Sequence, residues 1–404
     1  MTTRTNLTAL TGALLLAASA AAAEPTADHV AQAFEGGKVS LKVRTRYENV
    51  QQTGLQDATA LTIGTKLAFT TAAIQGFKAS LEVEDVSAAD GDAYNQAGLN
   101  PGGAGRAVVA DPTGTEVNQA WLGYTYGKTS FKLGRQSLVL DNARFVGNVG
   151  WRQNMQTFDA FTVQDKSFDH LTLTYSYLNR INRIFGRAHP QGVWQSDSHV
   201  LHASYAGLPV GTLTGYAYLL DFDNAAANST ATFGASLAGA RPISEDAKVG
   251  YRAEFAVQQD YGSSTLDYSA DYYLGELGVT VRKVTGTVGY EVLGSDNGVG
   301  FKTPLATLHA FNGWADLFLA TPAGGLRDLY GKVTVPLPAG FAFVGLYHQF
   351  DTDTGANLGD EVDLQVTCKI NKYLTGLLKY ATFDSASSAL ANVDKFWVQA
   401  EFTF

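Results

Sequence analysis

The chain has 404 residues, of which 45% are hydrophobic and only 17% charged, with 42 Gly, 19 Tyr and 22 Phe. A net charge of −9 lacks the basic footprint of a nucleic-acid binder, and a single Cys excludes a disulfide scaffold or a cysteine-rich metal site. A mean hydropathy of −0.05 is too low for a bundle of membrane helices.

The N-terminus reads as an export signal. Arg4 precedes an apolar, small-residue stretch from Leu7 to Ala23 that closes on Ala21-Ala22-Ala23 before Glu24-Pro25. A positive start, an apolar run and an A-x-A end are the parts of a secretory signal peptide, assigned to residues 1–23. A transmembrane anchor would need a longer and less alanine-rich run. No later segment reaches about 18 uninterrupted apolar residues, so residues 24–404 form an exported domain without a spanning helix.

From Lys38 onward the period is two. Leu41, Val43 and Tyr47 fall on one face of an extended segment and Lys42, Arg44, Arg46 and Glu48 on the other, a separation that a helix would scramble. The same alternation places strands near 38–50, 59–71, 76–86, 116–127, 129–138, 157–165, 169–179, 198–206 and 211–222. It continues at 229–240, 246–258, 265–280, 284–295, 328–336, 340–351, 360–370, 373–383 and 393–404. Tight gaps such as Gly127-Lys128 and Asn371-Lys372 alternate with long ones at 87–115, 139–156, 180–197 and 296–327. Short periplasmic turns alternating with long extracellular loops characterise outer-membrane barrels. The fold expected is all-β: a transmembrane antiparallel up-and-down β-barrel of about 18 strands.

Two further patterns support it. Tyr124 and Tyr126, Tyr175 and Tyr177, Tyr216 and Tyr218, and Phe402 and Phe404 sit towards strand ends, where aromatic girdles meet the membrane interfaces. A soluble sandwich also favours aromatics in strands, but it must fill its interior with apolar side chains, whereas the inner face here offers Lys, Arg, Glu, Gln, Thr and Gly. Phe396–Phe404 alternates and ends on Phe, resembling the terminal strand that barrel-assembly machinery reads. In lipid that strand must close onto the first, because backbone groups there need partners.

Two blocks carry a family resemblance. Gly134–Leu138, Leu140–Gly147, Gly150–Asn154 and Gln156–Ala160 resemble the alginate-export porin family, as do Tyr290–Asp296, Phe301–Asp316 and Ser196–His199. The resemblance implies an 18-stranded outer-membrane barrel; the best-known members carry an anionic polysaccharide outward through an arginine-rich pore. This chain looks shorter in its loops than the dedicated exporter, and a fold hosts several functions, so the cargo must be argued from the site.

Parity turns Lys42, Arg44, Arg46, Lys66, Lys78, Lys132, Lys248, Arg252, Lys332, Lys369, Lys379 and Lys395 inward, together with Glu48, Glu82, Glu84, Glu254, Glu361, Asp363 and Glu401. Charge in a narrow pore sets ion preference, and arginine forks match carboxylates. The expected anion-selective lining is therefore Arg44 and Arg46 with Lys42, Lys132 and Arg252, plus Arg135, Arg144 and Arg152 from the family block and Arg180 and Arg183 at the vestibule. The competing expectation is that inward cations pair with neighbouring acids and stiffen the wall. Asp85, Asp90, Asp92 and Asp111 fit no calcium-loop spacing and read as solvated loop acids. Residues 301–327 have helix-like apolar spacing, suiting a short helix in the mouth or a loop packed on the rim. Cys368 falls in the outward set with Val362, Leu364, Val366 and Ile370.

An enzyme is not expected. No G-x-S-x-G or H-E-x-x-H is present, His199 and His202 face opposite sides of a strand, and His309 has no evident partner. No cofactor or metal is expected. The expected partners are outer-membrane lipid and lipopolysaccharide, an anionic saccharide or small-solute cargo, barrel-assembly machinery reading the Phe404 strand, and possible periplasmic export components. The functional expectation is an outer-membrane channel for hydrophilic anionic solutes. A dedicated exporter of an acidic exopolysaccharide and a structural or adhesive barrel with a closed lumen are the alternatives.

Overall fold

The computed structural model describes residues 27–404, so the signal-peptide expectation for residues 1–23 lies outside the described residues. A short helix α1 (Ala27–Glu35) leads into eighteen barrel strands. These are β1 (Lys38–Gln52), β2 (Ala58–Thr70), β3 (Phe77–Ala88), β4 (Gly114–Tyr126), β5 (Thr129–Gln136), β6 (Thr157–Asp165), β7 (Leu171–Asn182), β8 (Val193–Leu208) and β9 (Gly211–Leu220). The second half holds β10 (Thr230–Ser244), β11 (Ala247–Asp260), β12 (Ser269–Val281), β13 (Val284–Leu293), β14 (Leu326–Pro336), β15 (Phe341–Asp351), β16 (Asn357–Lys369), β17 (Leu374–Ser385) and β18 (Val393–Thr403).

Each strand pairs antiparallel with its sequence neighbour, and β18 pairs with β1 from Lys42↔Thr403 to Gln52↔Val393. Leu41 and Phe404 exchange backbone hydrogen bonds beyond that register. The sheet thus has no open edge, the one way a sheet satisfies its backbone in lipid. Among the described residues no helix is long and apolar enough to cross a membrane.

The alternation resolves as two surfaces. Leu67, Leu122, Leu277, Val288, Leu378 and Val398 lie exposed on the outer face. A continuous apolar surface of this kind is stable only against lipid. Inside, Arg46, Glu48, Ser176, Asp328, Glu361 and Asp363 are buried. Cys368 keeps its outward parity, opposite Phe341.

Aromatic rings mark the periplasmic rim: Tyr124 lies between Phe77 and Phe131, and Tyr373 contacts both Phe402 and Phe404. Tyr216 and Tyr218 depart from the girdle expectation. They stack on each other inside the barrel, beside Phe145, and Tyr216 donates to Glu254 at 2.8 Å. Their even parity on β9 is shared with Thr214 and Leu220, both buried, while Leu213 faces out.

Strand β8 begins at Val193, so the loop expected at 180–197 contracts to 183–192. Gln195 and Asp197 face outward and Ser196 and Ser198 inward, so both faces are polar where the strand rises past the apolar belt, and the hydropathy signal of a strand disappears. The long loops do not stand out into solvent. Residues 137–156 and 294–325 fold into the lumen, the second with a single 3-10 turn at Leu308–Ala310 and a two-residue hairpin pairing 295–296 with 299–300. Neither arrangement expected for 301–327 is present: the segment enters the lumen, but as an irregular loop with one 3-10 turn rather than a helix, because its backbone groups bond to the wall and to the first loop instead of to each other.

Candidate functional site

The two infolded loops meet in the barrel interior. Gly147 donates its amide to Leu305, Thr307 donates to Ala143, and Gln156 Nε2 bridges the carbonyls of Gly147 and Leu305. The joined loops then contact opposite kinds of wall.

Strand β1 supplies cations. Arg44 donates to the carbonyls of Gly150, Trp151 and Arg152 at 2.9–3.1 Å, and its Nε pairs with Glu401 at 2.8 Å. Arg46 donates to the Trp151 carbonyl at 2.7 Å, lies 4.0 Å from the Trp151 ring centroid, and binds Gln399. It also lies 3.6 Å from Asp111, a fully buried acid rather than the solvated one expected. Asp111 in turn accepts the Gln153 amide at 2.7 Å.

Strands β13 to β16 supply acids. Glu361 accepts the Ala315 amide at 2.6 Å and Asp363 the Trp314 amide at 3.2 Å. Asn312 donates to Glu291 and Asp328, and Asp328 also binds His348. Arg144, carried in by the first loop, reaches the same wall and pairs with Glu291 at 2.7 Å. Burial disfavours the Arg144 charge, but Glu291 and Tyr272 outweigh it and raise its pKa.

Arg152 and Asp316 tie the two sides together. Arg152 contacts Glu48 at 3.1 Å and Asp316 at 3.0 Å, and Lys395 reaches the same Asp316 oxygen at 2.8 Å. Despite burial, Glu48, Asp111 and Asp316 raise the Arg152 pKa. The other Asp316 oxygen accepts His309 Nδ1 at 2.7 Å, and His309 Nε2 lies 2.7 Å from Lys379 Nζ. The His309 ring stacks on Trp151 at 4.4 Å. Burial pushes the His309 pKa well below its ordinary value and the Lys379 and Arg152 charges add to this, outweighing Asp316. A neutral imidazole therefore donates to Asp316 and accepts from Lys379. Burial raises the Asp316 carboxyl, but the His309 contact and the Lys395 and Arg152 cations reverse this and hold it well below the usual range.

The expected site residues separate into four groups. Lys42 pairs with Glu401 at 2.8 Å and Arg252 with Glu254 at 2.6 Å, as wall-stiffening pairs do. Arg44, Arg46, Arg144 and Arg152 hold the infolded loops. Arg135 and Arg180 do not face the lumen: Arg135 is three residues from inward Lys132 on a strand without a bulge, and it joins Asp159 and Arg180 on the outer face. An extra residue between Leu178 and Arg180 turns Arg180 the same way. Lys132 and Arg183 face internal cavities and make no ion pair among the described residues. Arg183 lies over Trp194 at 4.1 Å and Phe185 at 4.9 Å and lines a cavity of about 350 Å³ between the extracellular loops. Burial without a nearby acid lowers its pKa to about 10, so it remains a cation at neutral pH.

Sequence reasoning missed Asp316, His309 and Lys379 as a connected group. His309 and Asp316 stood within the resembling block and Lys379 in the inward set, but only the fold joins them. His199 and His202 do face opposite ways, towards Tyr175 and Asp141 respectively. Among the described residues no group of three or more His, Cys, Asp or Glu is placed to hold a metal.

The family described as alginate export matches residues 37–175, bearing out the resemblance over that part of the chain. No curated protein matches. Among solved structures, OpdK of Pseudomonas aeruginosa with vanillate superposes with a TM-score of 0.73 at 15% identity, covering 92% of this chain and 99% of that one. OccK9 (OpdG) of the same organism gives 0.72 at 15% identity, and its OpdL 0.68 at 16%, each with the same coverage. The chain is a closed 18-stranded barrel with the fold of these Pseudomonas outer-membrane proteins, and its residues 37–175 match the alginate-export family.

Proposed function

We propose that the protein is a channel of the bacterial outer membrane that passes hydrophilic, anionic solutes or saccharides and catalyses no reaction. The observation that carries this reading is the inversion of an ordinary protein: an apolar exterior around a charged, hydrogen-bonded interior narrowed by two infolded loops. Size restriction comes from those loops. Attraction comes from inward cations that make no ion pair among the described residues, Lys78, Lys132, Lys248 and Lys332 on the strands and Arg183 at the outer cavity, as weak separate stops rather than one tight site.

The surrounding partners follow from the same reading: lipid and lipopolysaccharide around the apolar belt, and barrel-assembly machinery at the strand ending in Phe404. Vanillate, named with OpdK, is a small aromatic carboxylate, and a cargo of that kind suits a narrowed lumen. The alginate-export match supports a second reading, an exporter of an acidic polysaccharide working with periplasmic components.

Planar-bilayer recording of the refolded protein tests the proposal. The expected result is discrete conductance with a reversal potential favouring chloride over potassium. Absence of conductance would sink the channel, cation preference would sink the anionic cargo, and block by long uronate oligomers alone would favour the exporter.

A further inference from the structure

We propose that a groove on the outer wall, across β6 to β9, holds one phospholipid of the periplasmic leaflet, with an acyl chain on the wall and a zwitterionic ammonium–phosphate headgroup at the turn after β6. The proposal rests on the barrel's place in the membrane and not on the channel reading. The groove measures about 480 Å³ and its lining is apolar except at one end. Its two rows follow from the strand register. Asp165, Leu173, Ala203 and Gly215 stand side by side, and Val163, Tyr175, Leu201 and Ala217 form the next row. Leu173, Leu201 and the neighbouring Leu213 are exposed, which fixes these rows on the lipid side. Strand β7 starts at Leu171, so the rows lie about 7–13 Å along it from the periplasmic turn. That depth falls in the periplasmic half of a hydrocarbon core about 30 Å thick.

Shape is the first indication. Ala203, Gly215 and Ala217 make a low floor, while Leu201, Tyr205, Leu213 and Phe233 stand exposed around it. A Cβ added at Gly215 would meet nothing within 4 Å, so the floor is open. Tyr175 is drawn away from it, because its hydroxyl bonds His199 Nδ1 at 2.9 Å, one row nearer the extracellular side. Lipid tails are as apolar as the wall, so escape from water supplies no preference for this place. Contact does: a chain lying in a groove touches wall below and on both flanks, and each methylene gains dispersion contacts that a flat wall cannot give.

Charge at the periplasmic end is the second, and it identifies the headgroup. Asp165 borders the groove. Its Oδ2 accepts the Thr129 and Ser167 hydroxyls, while Oδ1 accepts the Ser167 amide and has a lone pair left. Lys128 acts on Asp165 across two joined turns, where the Lys166 amide donates to the Lys128 carbonyl. Lys128 and Lys166 are exposed and make no ion pair among the described residues. Asp165 and Asp169 balance them, so the rim carries both signs and no net charge. That pattern fits a zwitterion, with phosphate on the lysines and ammonium on Asp165, better than an anionic head. Phe168, exposed on the same turn, supplies an interfacial ring. A second copy of the chain docked here would have to strip water from these charges, whereas a lipid brings their counter-charges with it.

Native mass spectrometry of the delipidated, detergent-folded chain tests the site, with phosphatidylethanolamine and phosphatidylglycerol of matched acyl chains as probes. One phosphatidylethanolamine is expected to bind at about tenfold lower concentration than the next, and ahead of phosphatidylglycerol. Gly215→Leu/Ala217→Leu fills the floor and should reduce that first event to the level of the later ones. Gly331→Leu, at an equally open position between exposed Leu329 and Val333, should leave it intact. Asp165→Asn should erase the preference between the two headgroups. Heat-dependent gel migration confirms that each variant is folded. Equal first binding by wild type and the filled variant, or no distinct first lipid, would overturn the site. A wild-type dimer that the filled variant loses would give the groove to a second copy and overturn it too. Preference for phosphatidylglycerol, or a preference unchanged in Asp165→Asn, would overturn the zwitterionic assignment. Conductance is expected to be the same in all these variants, so failure of the lipid site and failure of the channel are read separately.

Discussion

The two infolded loops are held by opposite chemistry. Residues 150–152 of the first loop present carbonyls, and β1 meets them with Arg44 and Arg46. Residues 314–315 of the second present amides, and β16 meets them with Glu361 and Asp363. Loop backbone buried in a lumen must satisfy both of its polar groups, and charged acceptors and donors do so more strongly than neutral ones. Several inward charges are thus loop anchors and are not free to act on a solute.

The comparison breaks most completely at Arg152, which contacts acids on both sides. Arg152→Ala should leave Glu48 and Asp316 short of a cation in a buried setting, a loss of about 3–5 kcal/mol in loop docking. The expected signs are a severalfold rise in conductance, frequent opening noise and protease cutting within 137–156 of the folded barrel. Unchanged conductance and intact loops would show that the anchors are redundant.

Glu361→Ala should cost less, about 1–3 kcal/mol, since it removes one acceptor from a loop with several other ties. Its effect should be confined to the second loop, with protease cutting near residues 313–316 and protection of 137–156. Cutting in both loops would mean that they dock as one body.

A change of pH sharpens the contrast, because His309 belongs to the second loop alone. Its docked imidazole is kept neutral by burial and by Lys379 and Arg152, against the pull of Asp316. An undocked imidazole takes a proton below about 6.5. The docked pKa is depressed, so its contribution to docking is complete above that value and declines as pH falls towards the docked pKa. The loss of docking stability therefore grows as pH falls below about 6.5. Asp316, also depressed, contributes nothing to this window, because its stabilisation is lost only below the ordinary carboxylate range. Channel noise should rise between pH 6.5 and 5 in the wild type and lose that dependence in His309→Gln.

The barrel was legible in the sequence because its causes are local. Alternation, turn length and the closing strand each occupy a few consecutive residues, and even the face of Lys132 or Cys368 followed from counting by two. The loop anchors were not, because they join residues far apart: Arg152 to Glu48 across 104 positions and Arg144 to Glu291 across 147. Nothing in a strand pattern says which inward arginine meets a carbonyl and which meets a solute. Tyr216 and Tyr218 were assigned by residue type, although their parity with Thr214 pointed inward.

Arg135 shows the same lesson at its smallest scale, and its expected effect is close to zero. Counting from Lys132 places it on the outer face, where it binds Asp159 and the Val117 carbonyl. A charge on that side of the wall is separated from the permeating ion by the sheet and neutralised by its own carboxylate. Arg135→Ala should therefore leave the reversal potential unchanged, while Lys132→Ala shifts it towards cations. A matching shift in both variants would place Arg135 in the lumen and undo the strand register on which the division into anchors and free cations depends.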